Sequence, residues 1–229
     1  MAANFNLRIV DLIGDYAAKI NDNHEQDLLN AAISEVADSV PPELLIKYAK
    51  APQVLNNSTQ TWNAVEGKKV LLVTRKDAAS NGVHRNCELV GIPAFNQSQD
   101  ADSIYLATKH SPVTCITTSG GQAVLDVKPT VDNDEIAHIY YFEYPTSNLK
   151  ETADADLNAA GIPNQLFHAI ALRASINMLQ AYISDSVQDD EDTEILSMLT
   201  AQIGSLTNQY KLEMGRFTNM YTEGEASQV

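Results

Sequence analysis

The side chains best suited to chemistry here are five histidines and a short run of carboxylates, and their spacing limits what they could do. The histidines are His24, His84, His110, His138 and His168. A helix brings metal ligands together when they lie four residues apart, and no two of these have that spacing. Structural or surface roles are expected for all of them. His168, on an apolar stretch, is the best placed for more. Asp132-Asn133-Asp134-Glu135 offers the oxygen donors that Ca²⁺ or Mg²⁺ take, but it lacks the glycine and terminal glutamate of an EF-hand loop. Paired carboxylates could be drawn from 30 Asp and Glu in any arrangement, so their presence carries little information. There is no Gly-x-Ser-x-Gly elbow, phosphate loop or dinucleotide fingerprint. Ser119-Gly120-Gly121 lies between two strand-like runs and reads as a turn. No catalytic residue, metal site or cofactor is expected, and an enzyme is not the expected reading.

Charge gives two further candidates. Lys68, Lys69, Arg75, Lys76, His84 and Arg85 make a basic stretch in a chain of formal net charge −15. It is a candidate contact for an acidic partner or for phosphates, and equally a solvated strand end and loop. Asp189-Asp190-Glu191-Asp192 is a carboxylate block at the start of a helix, against the positive end of its dipole. Residues 151–229 hold 12 acidic and 3 basic side chains, which concentrates the negative charge in the last third. That balance argues against a general nucleic-acid binder. It suits solubility, and also a passage through which DNA slides without sticking. Cys87 and Cys115 form no C-x-x-C pair and read as buried thiols in a reducing compartment.

The elements that must position these groups follow from hydrophobic period. With 229 residues, 44% of them hydrophobic, the chain can bury a sizeable core as one composite domain. It has no apolar run near ~18 residues, so no membrane span is expected. Residues Met1 to Arg8 lack the pattern of a signal peptide, and a cytosolic origin is expected. Residues 1–59 read as helical. Leu7, Val10, Ile13, Ala17 and Ile20 mark one face, then Leu28, Leu29, Ala32, Ile33, Val36 and Ala37 a second helix. A short third runs from Glu43 to Lys50 after Pro41-Pro42, and Ala51 to Thr59 reads as a loop.

Residues 60–150 change to β: strands at 69–74, 87–90, 104–108 and 137–144, and a hairpin of 113–118 with 122–127 turning on Gly120-Gly121. Asp77 to Asn86 reads as a flexible polar loop. Alternation puts Tyr140, Phe142 and Tyr144 on one face and Tyr141 and Glu143 on the other. With Trp62 these aromatics suit core on one side and an interface on the other. Residues 151–220 return to helix. One carries Leu166, Phe167, Ile170, Ala171, Ala174, Met178 and Ile183. The other carries Ile195, Leu199, Ile203 or Gln202, Leu206, Tyr210, Met214 and Phe217, and together they form a helix hairpin. Residues 221–229 read as a disordered tail. The expected class is α+β: N-terminal helices, a small antiparallel β-sandwich or open barrel, and a C-terminal helix hairpin.

Several of these segments together resemble a known family. Arg75 to Arg85, Asp102 to Thr108, Ser111-Pro112-Val113 and the Gly120-Gly121 hairpin ending at Lys128-Pro129 resemble the β-rich middle of tailed-phage neck proteins, the head-to-tail connectors or adaptors. Gly161-Ile162-Pro163 opening a helix, then an acidic linker and a helix ending in aromatics, is similar to their C-terminal part. The resemblance covers roughly residues 65–217. It implies a homo-oligomeric, twelvefold ring, made in the host cytoplasm and placed in the virion between portal and tail. DNA would pass through it without sequence-specific binding, past lumen-facing Asp189, Asp190, Glu191 and Asp192. The Asp77 to Asn86 loop and the C-terminal tail would contact the portal protein or a tail or tail-terminator protein, with the basic residues as further candidate partner contacts. Other readings are a tail-tube terminator or other tail component, a metal-dependent hydrolase using the carboxylates between Asp132 and Glu143, and a small-ligand binding module.

Overall fold

The computed structural model describes residues 4–77, 82–132, 134–186 and 193–226. The class is α+β, with helices first, two sheets in the middle and a long helix last. The helices are α1 (Phe5–Ile13), α2 (Asp22–Ser39), α3 (Pro42–Ile46), α4 (Ile92–Gln97), α5 (Phe167–Ser186) and α6 (Thr193–Ala226). The chain divides into two compact units: Met1–Tyr48 with Tyr144–Val229, and Ala49–Glu143.

In the helical unit, Asn4 caps α1 by accepting the Leu7 N–H at 2.8 Å. Gly14, at φ 60°, ends the helix in a conformation that strains other residues, and a 3-10 segment follows. The expected phase of α1 is corrected. Phe5, Ile9 and Ile13 are buried, whereas Leu7 and Val10 are exposed. Phe5 sets that phase, because its ring stacks 4.8 Å from Phe167. α3 stops at Ile46, short of the expected Lys50.

The centre of this unit is α5, which packs against α1, α2 and α6. Ala169 to Leu172, Ala174, Ile176, Met178 and Leu179 are all buried, as befits a helix that is apolar nearly all round. Its outward Arg173 pairs with Glu35 of α2 and lies 5.9 Å over the Tyr210 ring of α6. Along α6, Leu199, Leu206 and Phe217 form the buried seam, while Ile195, expected in it, is exposed. α6 continues to Ala226, into the segment read as a tail.

The β unit contains β1 (Gln53–Leu55), β2 (Thr61–Trp62), β3 (Lys68–Lys76), β4 (His84–Asn86), β5 (Glu88–Leu89), β6 (Val113–Ser119), β7 (Gln122–Lys128) and β8 (Ile136–Glu143). Two four-stranded sheets form, in the orders β1-β8-β3-β4 and β2-β7-β6-β5. Pairing is antiparallel except for β5 with β6, which is parallel. Leu55, Val73, Ala137 and Ile139 of one sheet share a core with Trp62, Leu125 and Val127 of the other. On the other side of the second sheet, Phe95 of α4 packs with Ala107, Val113 and Cys115. Gly120 and Gly121, at φ 60° and 82°, make the tight turn that joins β6 to β7.

Three local expectations are corrected here. The Ala51 to Thr59 loop contains β1, because Gln53–Leu55 finds partners at Ala137–Ile139. The end of the Asp77 to Asn86 loop is β4, paired with Thr74–Lys76; residues 78–81 lie outside the described ones. Ile104 to Thr108 is a series of turns and not a strand. Asp100 Oδ1 takes the Asp102 N–H at 3.0 Å and Ser103 Oγ takes the Tyr105 N–H at 3.1 Å, so the backbone is satisfied locally.

Candidate functional site

The six basic residues fall along one extended strand and its neighbour, and that geometry breaks them up. β3 rises about 3.3 Å per residue, so Lys68 and Arg75 stand roughly 23 Å apart. Lys68 binds inward, with its Nζ 3.9 Å from Glu143 and above the rings of Trp62 and Tyr141 at 5.5 and 5.7 Å. At the far end, His84 is exposed while Lys76 and Arg85 are half-buried. Lys69, also half-buried, is paired opposite Phe142 in the sheet.

Arg75 leaves the surface altogether. It is 1% exposed, since strand alternation puts it on the core face with Val73. A buried guanidinium must be paired. Its Nε donates to the Pro129 carbonyl at 3.0 Å and one Nη to the Thr130 carbonyl at 3.2 Å. That same Nη forms a charge-assisted bond to Glu135. Glu135 in turn receives Lys109 Nζ at 2.6 Å and the Asp132 N–H at 3.1 Å. Burial raises the Glu135 carboxyl pKa, but Lys109, the Asp132 amide and Arg75 outweigh it and hold the pKa below the ordinary value.

Glu135 thus faces an arginine, which repels a cation. Among the described residues no group of three His, Cys, Asp or Glu could hold a metal ion. A shallow cleft remains, lined by Arg75, Asp77, Lys109, Asp132, Asp134 and Glu135. Of its charged groups, Arg75, Glu135 and Lys109 are engaged with one another, and this network ties Pro129, Thr130 and Glu135 to β3.

The structure joins two histidines that sequence spacing keeps apart. His84 on β4 and His138 on β8 flank β3 with ring centroids 5.3 Å apart, and Tyr140 stands edge-on to His138. Burial first, then the nearby His84 and Lys76, lower the His138 pKa. In the helical unit, His168 lies 3.4 Å from Arg8, and burial lowers its pKa as well. Burial pushes the Cys87 thiol up to about 12, and the thiol of the buried Cys115 is also raised, so neither is a ready nucleophile.

Of the aromatics, Tyr141 faces the sandwich core and lies 4.9 Å from Trp62. Tyr144 gives its hydroxyl to Asp38 at 2.6 Å, and burial, then Asp38, raises its pKa to about 12. The acidic block Asp189 to Asp192 lies outside the described residues.

One feature that sequence reasoning read as a strand is an exposed apolar tip. Ile104 is 91% and Tyr105 65% exposed, with Leu106 beside them. The loop is fixed by its own hydrogen bonds and anchored by buried Ala107, whose N–H donates to the Ser98 carbonyl at 2.9 Å. Among the described residues no helix is long and apolar enough to cross a membrane. Comparison with models of known protein families and with curated proteins finds no match for this chain.

Proposed function

We propose that this chain is a structural protein of a tailed-phage particle, forming a ring at the neck that joins portal to tail and extends the DNA channel. The observation that carries the reading is the Ile104-Tyr105-Leu106 tip. Large apolar side chains held in water on a pre-shaped loop are costly for a free monomer and suit a contact completed on assembly. The sequence resemblance supports the same reading, and the net charge of −15 fits a channel wall to which DNA does not adhere.

Quantitative peptide mass spectrometry on purified particles tests it. A copy number equal to that of the portal is the expected result. A ratio near one half would move the chain to a sixfold tail component, and absence from the particle would reject the virion reading.

A further inference from the structure

The β6–β7 hairpin outruns both of its neighbours. β5 pairs with β6 only at Val113 and Thr114, and β2 pairs with β7 only at Leu125 and Asp126. Beyond those points the hairpin continues to Ser119 and returns from Gln122. In a two-residue hairpin the residues flanking the turn are a hydrogen-bonded pair, here Ser119 with Gln122. Alternation then makes Thr117–Val124 the next such pair, and turns the backbone groups of Ile116, Thr118 and Ala123 outward.

One step lower the outward groups do have partners. The Val90 N–H donates to the Thr114 carbonyl at 2.9 Å, and Trp62 stands opposite Leu125. Among the described residues no backbone group outside the hairpin pairs with Ile116, Thr118 or Ala123. The Ile116 carbonyl has the Cys115 thiol at 3.6 Å, a weak donor. Ile116 is 38% exposed.

Proteins ordinarily blunt such edges with lysine, proline or a bulge. From Val113 to Leu125 there is no proline and no charged residue, in a chain that is 20% charged. Val113 to Thr118 is β-branched at every position but Cys115, which favours strand pairing. Two copies of a chain with net charge −15 repel one another over most of their surfaces. The uncharged arm is where they can meet without opposing like charges. One arm carries both open edges, so the β7 edge of a second copy is a fitting strand for the β6 edge of the first.

We propose that the β6 edge at Ile116 and Thr118 takes the β7 edge at Ala123 of a second copy, extending the sheet from copy to copy by strand addition. The sense of the repeat, one edge to the opposite edge, rests on the ring reading above, since a heterologous contact can close on itself.

Single variants Thr118→Cys and Ala123→Cys of the full chain test this when mixed at the highest soluble concentration under mild oxidation. Thr118 and Ala123 face each other within one hairpin, so keeping the cysteines on separate chains leaves only the link between copies to be read. Wild type under the same conditions gives the background from the buried Cys87 and Cys115. A covalent dimer is expected in the mixture and in neither variant alone, and adding Ile116→Lys to the Thr118→Cys chain should abolish it. A dimer from Thr118→Cys alone would mean two β6 edges meet, and no dimer in the mixture would mean the arms do not pair. Either result overturns the proposal. A failed cross-link from a chain present in particles at the portal's copy number would leave the neck reading standing, so the two can fail separately.

Discussion

The helical and β units differ in how far they take charge out of water. Among the described residues, the helical unit keeps Arg173–Glu35 and Arg216–Glu213 open to water, and in its most buried pair, Lys150–Glu25, the lysine side chain is still 20% exposed. Its order comes from an apolar helix, α5, packed against α1, α2 and α6. The β unit instead places Arg75 and Glu135 together out of water, with side chains 1% and 8% exposed. A buried pair is weak support for stability, but breaking one is costly, and its geometry can specify a single arrangement. Here it ties Pro129, Thr130 and Glu135 to β3, so the β unit adds a buried charge network to its apolar sandwich core, where the helical unit relies on apolar packing.

The largest expected effect follows from that difference. Glu135→Ala leaves the Arg75 guanidinium buried without its carboxylate, at a cost of about 3–5 kcal/mol. Trp62, the one tryptophan of the chain, lies in the β core, so its fluorescence in urea denaturation reports on this unit. The double change Arg75→Met with Glu135→Leu should recover most of the loss, because it removes the charge along with its partner. A loss under about 1 kcal/mol for Glu135→Ala would put the pair with exposed salt bridges and end the contrast.

Next in size is the corresponding change in the helical unit. Ile170 is fully buried on α5, and Ile170→Ala should cost about 2–5 kcal/mol through lost burial and the cavity left behind. Far-UV circular dichroism in urea reads it, since the helices dominate that signal. A negligible loss would mean that α5 is not the packing centre of its unit.

How much of this the sequence disclosed also differs between the units. Helical period gave α2 and α5 nearly complete, because a long amphipathic pattern is a local property. It misphased α1, since Leu7 and Val10 satisfy the same spacing and only the contact of Phe5 with Phe167 decides between the faces. The hairpin was legible from Gly120-Gly121. β1 and β4 were not, because three-residue strands exist through distant partners on β8 and β3. Arg75 carried a usable signal: an arginine in the Val73 register of a core strand requires a buried carboxylate, which points to the acids beyond the hairpin. Nothing local pairs His84 with His138, as their meeting runs through β3. Ile104 to Leu106 looked like a strand because apolar content does not separate a buried run from an exposed tip.

The smallest expected effect tests the feature the two units share, a histidine whose pKa burial lowers: His168 in one and His138 in the other. In the unfolded chain His138 titrates near its ordinary 6.5, while the native value is lower. Below 6.5 the unfolded state therefore takes up a proton that the native state refuses. The stabilisation is full above the unfolded value and is lost as pH falls through the native one. Glu135 acts in a separate and more acid window, because its native value lies below 4.5. Lowering pH from about 7.5 to about 5.5 should move the urea midpoint of the Trp62 signal to lower urea, within the range where histidines titrate. His138→Gln should flatten that dependence, whereas His168→Gln should leave it in place, since Trp62 reports on the β unit. If His168→Gln also flattened the Trp62 curve, the units would unfold as one cooperative body, and the contrast between packing and charge would hold only locally.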